Sequence, residues 1–264
     1  MKTIFFKSTL FCVFLLLCGT ILAQEKIDAY FTTAEMPDLI NMPFSPPTQE
    51  SAAFSYDISR YFWGKQMRQD PVRSAIAIRD AVYGLQTIIN EFSIPFGVRI
   101  SEEETPEIYE LLKVSLATCD SICTIPKKYW SRVRPFIFFN ETTLTPADEP
   151  ALRKNFSYPS GHTILGYSAA LLLTEINPER ADTLMSRGIM YGESRVICGA
   201  HWQSDVDAGM LAASIAVAKL HTSDRFLKQM EEAKKEFKKI KSKRPLLETD
   251  KRHKTPKSNI HYMP

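Results

Sequence analysis

Four times along this chain, a residue that commonly caps helices is followed directly by proline. The first turn of a helix leaves its backbone N–H groups without partners, so proline, which lacks an N–H, is accepted at the first helical position. A polar side chain just before the proline can accept hydrogen bonds from that turn. The chain therefore predicts four helix starts, at Asp70-Pro71, Thr105-Pro106, Thr145-Pro146 and Asn177-Pro178.

Apolar residues recur at helical spacing after these starts. One series is Ile76, Ile78, Ala81, Val82, Leu85 and Ile88, and another is Ile108, Leu111, Leu112, Ser115 and Leu116. The alternation typical of strands is nearly absent, with residues 93–100 as a weak candidate. A chain of 264 residues, 44% of them hydrophobic, is long enough for one large core. The fold class predicted is all-α, with a single domain.

The beginning of the chain predicts export. Residues 1–23 combine two lysines, an apolar run and small residues before Ala23, which is the pattern of a cleaved secretory signal peptide. No later apolar run reaches the roughly 20 residues that a membrane span needs. We therefore expect a soluble periplasmic or secreted protein with no stable membrane insertion.

The remaining chain divides into three predicted parts. Residues 24–48 are a Pro-rich lead-in, residues 49–243 form the helical domain, and residues 244–264 form a basic, flexible tail. The formal net charge of +3 gives no support for a nucleic-acid partner.

Three cysteines remain once the signal peptide is removed. Cys119 and Cys123 could pair in an oxidising compartment, although four residues along one helix is a strained separation for a disulfide. Cys198 is expected to be a small buried residue. The spacing of cysteine and histidine supports no metal cluster.

The first stretch of unusual chemistry is KKYWSRVRPF, residues 127–136. Lys127 and Arg134 are seven residues apart, or two helical turns, which predicts that they lie on one helix face. Pro135 is expected to end or bend that helix. Taken alone, the stretch is equally typical of a solvated basic face.

The second stretch is SYPSGHT, residues 157–163, which precedes a long apolar run. Ser160 is a plausible helix cap, and Gly161 allows another group to approach the backbone closely. The unpaired N–H groups of such a first turn form an anion site, where His162 could donate or accept a proton. The alternative is a capped core helix with an incidental histidine.

The third stretch is SRVICGAHWQSDVDAG, residues 194–209. His201 and Asp205 are spaced i, i+4, which predicts one shared helix face, whereas Asp207 faces elsewhere. A carboxylate that accepts the Nδ1 proton would leave Nε2 of the imidazole as a nucleophile. A structural hydrogen bond and a metal site both stay open for this stretch alone.

The three stretches together favour a phosphate site. Lys127, Arg134 and Arg195 would oppose a divalent metal electrostatically, whereas they would bind phosphate oxygens well. Three cations, a helix start and an oriented histidine predict phosphoryl transfer with no metal and no other cofactor, because the cations neutralise the phosphate charge.

These residues also carry a resemblance to a known family. Lys127-x6-Arg134-Pro135, Pro159-Ser160-Gly161-His162 and Ser194-Arg195-x5-His201-x3-Asp205 resemble the three-part signature of the type 2 phosphatidic acid phosphatase/vanadium haloperoxidase superfamily. The surrounding residues are similar, more narrowly, to the bacterial class A non-specific acid phosphatases. The resemblance covers residues 127–209 directly and implies a helical bundle with the active site between helices.

The resemblance implies a role for each residue. His201 would attack phosphorus and form a phosphohistidine, Asp205 would orient it, and His162 would protonate the leaving oxygen and then activate water. The remaining residues would bind the phosphate of a small-molecule phosphomonoester: Lys127, Arg134, Ser160, Gly161 and Arg195. The resemblance also implies homo-oligomers.

The sequence therefore leaves four functions open. The preferred hypothesis is an exported acid phosphatase of broad specificity. The alternatives are a vanadate-dependent haloperoxidase, a lipid phosphate phosphatase and a non-enzymatic phosphate-binding or scaffold protein. The last would require both histidines and Asp205 to be incidental.

Overall fold

The computed structural model describes residues 27–43 and 45–248. The most apolar of its described helices, α8 (Gly161–Ile176), lies at the centre of the fold. Most of its residues are buried, which matches a helix that is apolar on all sides. It packs chiefly against α9 (Ala181–Cys198), α10 (Gln203–Leu220) and α4 (Pro106–Ser121). These four helices form the core that carries the site.

Shorter or more polar helices surround this core. Within the described ranges they are α1 (Ala52–Met67), α2 (Pro71–Ala81), α3 (Leu85–Phe96), α5 (Thr124–Trp130), α6 (Pro135–Phe138), α7 (Glu149–Leu152) and α11 (Asp224–Lys241). Residues 27–43 and 45–248 contain no strand, so the predicted all-α class is confirmed.

A glycine allows α10 to approach the beginning of α8. A Cβ atom on Gly209 would lie 2.8 Å from the Cβ of Thr163 and 2.9 Å from the carbonyl oxygen of Ser160. Any larger residue would push the two helices apart at this crossing. The close approach lets the N–H of Ser160 donate to the carbonyl of Asp205 at 2.9 Å, which joins two of the predicted motifs.

Helix α11 is amphipathic and covers the outer side of α4. Its buried residues Phe226, Met230, Ala233 and Phe237 recur at helical spacing, and lysines occupy the exposed face. It corresponds to the last helix of the predicted domain.

Two of the four proline pairs begin α-helices directly. Asp70 caps α2 by accepting from the N–H groups of Val72 and Arg73, at 2.8 and 3.1 Å, and Thr105 precedes α4. The other two pairs each begin a 3₁₀ turn, Pro146–Asp148 and Pro178–Arg180, which leads into α7 and α9. Proline at the first position suits either helix type because it removes only an unpaired N–H.

The weak strand prediction at residues 93–100 is wrong. Residues 93–96 are the last turn of α3, and Gly97 ends the helix in a left-handed conformation with a φ of 93°. The buried residues Ile88, Ile89, Phe92 and Phe96 have helical spacing, which outweighs a short alternation.

The series from Ile76 to Ile88 spans two helices rather than one. Helix α2 ends at Ala81, and Gly84, with a φ of 134°, separates it from α3. Ile78 and Val82 are therefore exposed instead of core residues. The break places Tyr83 in the connection between the two helices.

The predicted terminal segments are described only in part. The proposed signal peptide lies outside the described residues, as do residues 249–264 of the tail. Within the lead-in, residues 27–43 pack against the domain: Met36 and Leu39 are buried, and the N–H of Tyr30 donates to Thr118 Oγ1 at 3.0 Å. The domain boundaries themselves stay a prediction.

Candidate active site

The eight predicted site residues come together from five parts of the chain. Lys127 lies on α5, Arg134 directly precedes α6, residues 160–162 begin α8, and Arg195 lies in the last turn of α9. His201 lies in the loop before α10, and Asp205 in its first turn. All eight are buried. The arrangement places the site between helices, as expected.

His201 is held at both ring nitrogens. Its Nδ1 lies 3.3 Å from Asp205 Oδ2, and its Nε2 lies 3.0 Å from Nη1 of Arg134. A guanidinium group can only donate, so Nε2 accepts and the ring proton is assigned to Nδ1. Burial, and then the positive charges of Arg134, Lys127 and Arg195, lower the pKa of His201 well below its usual 6.5. The ring is therefore a neutral base with its lone pair on Nε2.

The shared helix face predicted for His201 and Asp205 is wrong, although their contact exists. Helix α10 begins at Gln203, after the histidine. Asp205 is the third residue of the helix, and its carboxylate reaches back to accept from the N–H of Trp202 at 2.8 Å. A carboxylate that caps a helix start in this way is close to the residues just before it. Asp207 is exposed and bonds Gln203, as expected from its different direction.

Lys127 and Arg134 do not share a helix either. Helix α5 ends at Trp130, Ser131 is left-handed with a φ of 46°, and Pro135 begins α6 instead of ending a helix. The two cations meet because both donate to the carbonyl oxygen of Phe156, at 3.0 and 3.1 Å. Burial lowers the pKa of Lys127 to about 8 and that of Arg134, which is also close to Arg195, to about 10.

Arg195 has the least satisfied side chain of the site. It is fully buried, yet Nε, Nη1 and Nη2 have no hydrogen-bond partner among the described residues. Its backbone carbonyl accepts from the N–H of His201 at 3.3 Å, and its charge lowers the pKa of both site histidines. A buried, unpaired guanidinium costs on the order of several kcal/mol. Five N–H donors beside the neutral ring of His201 are suited to bind an anion.

The beginning of α8 supplies the other side of the site. Ser160 caps the helix, and its Oγ accepts from the N–H of Thr163 at 3.3 Å. Nε2 of His162 lies 2.9 Å from the carbonyl oxygen of Ala81, so Nε2 carries the proton and Nδ1 is the basic nitrogen. Burial, and next the charge of Arg195, lower the pKa of His162 well below 6.5.

Comparison with known proteins places the chain in a family. Residues 110–228 match the PAP2 superfamily. A non-specific acid phosphatase from Providencia stuartii is 41% identical over 213 residues, which is 80% of this chain and 86% of the relative. Another from Salmonella typhimurium is 44% identical over 193 residues, covering 73% of this chain and 77% of the relative. An acid phosphatase from Zymomonas mobilis is 36% identical over 197 residues, or 75% of this chain and 74% of the relative.

The chain belongs to the class A non-specific acid phosphatases of the PAP2 superfamily. It is accordingly an acid phosphatase, a phosphoric monoester hydrolase. Its described helices include none that is both long and apolar enough to cross a membrane.

The structure adds residues to this phosphatase site that sequence reasoning missed. Arg132 donates to Asp205 Oδ1 at 2.6 Å and to Asp57 Oδ2 at 2.7 Å, and it links the two buried carboxylates. Ser157 also donates to Asp205, and Ser204 donates to Asp57. Arg132 lies inside the first motif, but no sequence signal pairs it with Asp57 on a distant helix.

The three cysteines of the described residues are free, buried thiols. Cys119 and Cys123 are separate buried thiols, and burial raises the pKa of each to about 12. Cys198 is fully buried against α2, with its thiol 3.4 Å from the carbonyl of Ala77, so its predicted packing role is confirmed. Among residues 27–43 and 45–248, no three His, Cys, Asp or Glu side chains converge as metal ligands would.

Proposed function

We propose that this acid phosphatase hydrolyses small-molecule phosphate monoesters of broad specificity through a phosphohistidine on His201, without a metal. One observation carries the proposal: Arg195 is fully buried without a hydrogen-bond partner in the described structure, beside a neutral histidine whose tautomer Asp205 sets. A phosphate would satisfy the guanidinium and bring phosphorus to that histidine.

The first step transfers the phosphoryl group to the enzyme. Lys127, Arg134 and Arg195 bind the phosphate oxygens, together with Ser160 and the N–H of Gly161. As Arg134 turns its donor from Nε2 of His201 to a phosphate oxygen, the Nε2 lone pair attacks phosphorus. His162 takes up the proton of the substrate monoanion at Nδ1. The bond from phosphorus to the alcohol oxygen then breaks, and His162 donates that proton to the leaving oxygen.

The second step regenerates the enzyme. His162, now neutral, takes a proton from water, and the resulting hydroxide attacks the phosphohistidine. The P–N bond breaks and its electrons return to Nε2 of His201, while inorganic phosphate leaves. In both steps Asp205 stabilises the charge on the His201 ring through Nδ1, and Arg132 and Ser157 hold Asp205 in place.

Metal independence follows, in this proposal, from the charges at the site. Three buried cations supply the neutralisation of developing negative charge that Mg²⁺ supplies in many phosphoryl-transfer enzymes. A divalent cation beside them would be repelled. Chelation of metals with EDTA should therefore leave the turnover of the purified enzyme unchanged.

The proposal includes export of the enzyme. Residues 1–23 have the sequence of a cleaved signal peptide, so the mature chain should begin at Gln24. Expression in a bacterium, followed by N-terminal sequencing of the periplasmic or secreted protein, tests this. An uncleaved protein confined to the cytoplasm would contradict it.

The decisive test replaces the nucleophile. His201→Ala should lower the rate of phosphate release from an aryl phosphate by at least about 10⁴-fold, because no other group reaches phosphorus. The matched control is His221→Ala, which removes an exposed histidine at the end of α10 that bonds Glu175. The control should retain the wild-type rate.

Quenched reactions identify the intermediate. Wild-type enzyme mixed with labelled substrate should yield a phosphoenzyme that is stable in base and labile in acid, located on His201 by peptide mapping. If His201→Ala kept most of the wild-type rate while still folded, the nucleophile assignment would be wrong. If EDTA removed the activity, the metal-free mechanism would be wrong.

A further inference from the structure

Tyr83 lies directly beside the histidine that the proposed mechanism uses as acid. It occupies the break between α2 and α3, and 51% of its surface is exposed. Its ring packs edge-on against His162, with the ring centroids 4.7 Å apart and the planes at 72°. Because His162 protonates the leaving oxygen, the rest of the leaving group must pass close to this ring.

Asp120 on α4 lies on the same side of the site. It accepts a hydrogen bond from the hydroxyl of Tyr83. A Cβ atom placed on Gly161 would lie 3.3 Å from Asp120 Oδ1 and 3.4 Å from the Tyr83 hydroxyl oxygen. The carboxylate and the phenol therefore stand next to the helix start that is proposed to bind phosphate.

The two sides of the site consequently differ in character. The phosphate side carries three cations, whereas this side presents a half-exposed aromatic ring and a carboxylate. Burial raises the pKa of the Tyr83 hydroxyl above its usual value, so Tyr83 stays a neutral donor to Asp120. A carboxylate beside an anion site weakens anion binding by repulsion. Its position there has a use if it selects among leaving groups.

We propose that Tyr83 and Asp120 form the leaving-group subsite of this enzyme, and that it favours esters of uncharged, ring-containing alcohols over esters whose alcohol carries a second negative charge. The inference rests on the proposed function, because it takes His162 as the acid that faces the leaving group. The ring offers a flat apolar surface to an aryl or nucleoside group. In its ionised form Asp120 repels a leaving group that carries a carboxylate or a further phosphate. Burial raises the pKa of this carboxyl group, whereas the Tyr83 hydroxyl and the charge of Lys127 favour its ionised form.

A pair of matched substrates tests the charge selection. The substrates 4-carbamoylphenyl phosphate and 4-carboxyphenyl phosphate are nearly isosteric and differ by one negative charge. We expect the ratio of their kcat/KM values to favour the neutral ester in the wild-type enzyme. Asp120→Asn should lower that ratio by about two- to fivefold, the size expected for one charge at a partly exposed site.

A pair of non-hydrolysable ligands tests the ring. Phenylphosphonate and methylphosphonate share the phosphonate group and differ in the group attached to phosphorus. In calorimetric titrations, Tyr83→Leu should reduce the preference for phenylphosphonate by about three- to tenfold, the range of one aromatic contact. Tyr83→Phe keeps the ring and should keep this preference.

Two matched control variants replace residues that are not part of the proposed subsite. Tyr56→Leu removes a tyrosine of similar exposure on α1, and Asp224→Asn removes an exposed aspartate at the beginning of α11. Neither control should change either ratio. Circular dichroism melting curves establish that each variant is folded before it is compared.

The outcomes separate this inference from the proposed function. If Tyr83→Leu and Asp120→Asn leave both ratios at their wild-type values while His201→Ala abolishes turnover, the subsite is wrong and the mechanism stands. If Tyr83→Leu and Asp120→Asn change their ratios as predicted but His201→Ala turns over normally, the mechanism is wrong and the subsite stands.

Discussion

Arg195, which we propose binds phosphate, carries a side chain that is unfavourable for folding. Its guanidinium is fully buried and has no hydrogen-bond partner among the described residues. Arg187, two turns earlier on the same helix, is nearly as buried but pairs with Asp80 and Glu91. The two arginines therefore have opposite expected effects on stability, because only Arg187 compensates buried negative charge.

Replacement of each arginine by methionine tests this contrast. Without phosphate, Arg195→Met should leave the free energy of unfolding unchanged or raise it by about 1–3 kcal/mol, since an unpaired buried charge is removed. Arg187→Met should lower it by about 3–5 kcal/mol, since the fully buried carboxylate of Asp80 loses its ion-pair partner, whereas Glu91 keeps Arg79. Both values come from urea unfolding monitored by circular dichroism.

The same variants report on phosphate binding. Added phosphate should raise the melting temperature of the wild-type protein and have no such effect on Arg195→Met. The kcat/KM of Arg195→Met should fall by about 10²- to 10³-fold, as for the loss of other donors to transition-state charge. A large loss of stability in Arg195→Met would show that its guanidinium has a structural partner.

Among the secondary-structure elements, a pair of salt bridges shared by one arginine connects three segments that are distant in sequence. Arg132, in the extended segment between α5 and α6, joins Asp57 of α1 to Asp205 of α10. Both carboxylates are fully buried. Arg132 holds Asp205 through Oδ1, while Oδ2 contacts His201 and the N–H of Trp202. We therefore expect Arg132 to position the proposed nucleophile, His201.

A double-mutant cycle separates the structural and positioning effects of this bridge. Arg132→Gln should lower the free energy of unfolding by about 3–5 kcal/mol, because it leaves two buried carboxylates without their cation. Adding Asp57→Asn removes one of those charges and should recover part of the stability. The kcat should stay low in both variants, since Asp205 still lacks Arg132. Recovery of kcat together with stability would show that Arg132 is only structural.

At the scale of the whole molecule, the fold gathers positive charge around two neutral histidines. The cations come from α5, the segment before α6 and the end of α9. Burial and these charges lower the pKa of both His162 and His201 well below 6.5, so neither is charged at neutral pH before substrate binds. The proton for the leaving oxygen must then arrive with the substrate as its monoanion, and a bound phosphate raises the pKa of His162 so that it can accept that proton.

This charge distribution predicts the pH dependence of kcat/KM. The value should fall above about pH 6, where the phosphate ester loses its second proton. It should fall further as Lys127, with a pKa of about 8, loses its charge. Because the pKa of His201 is lowered, the decline on the acid side should begin below 6.5. Initial rates on an aryl phosphate from pH 4 to 9 test this, and a value that rises from pH 6 to 8 would contradict it.

The all-α class and the motif residues can be predicted from the sequence, because both depend on residues that are close together in the chain. Asp70-Pro71 predicts a helix start from two neighbouring residues, and α2 begins there. Local patterns failed where backbone geometry intervened, as at Ser131 and Gly84, whose positive φ values end or separate elements. The spacing of His201 and Asp205 is ambiguous for another reason. An i, i+4 contact forms within one helix, but it also forms when a carboxylate in the first turn of a helix reaches back to a histidine that precedes the helix.

The all-α class, the family and the eight site residues can be read from motif spacing and helical periodicity, which are properties of the chain alone. The partners of these residues depend on how the helices pack. Arg132 meets Asp57, Arg195 is buried without a partner in the described structure, and Tyr83 meets Asp120, through packing between helices distant in sequence. Burial and charge, which set the chemistry of His201, arise only when those helices assemble.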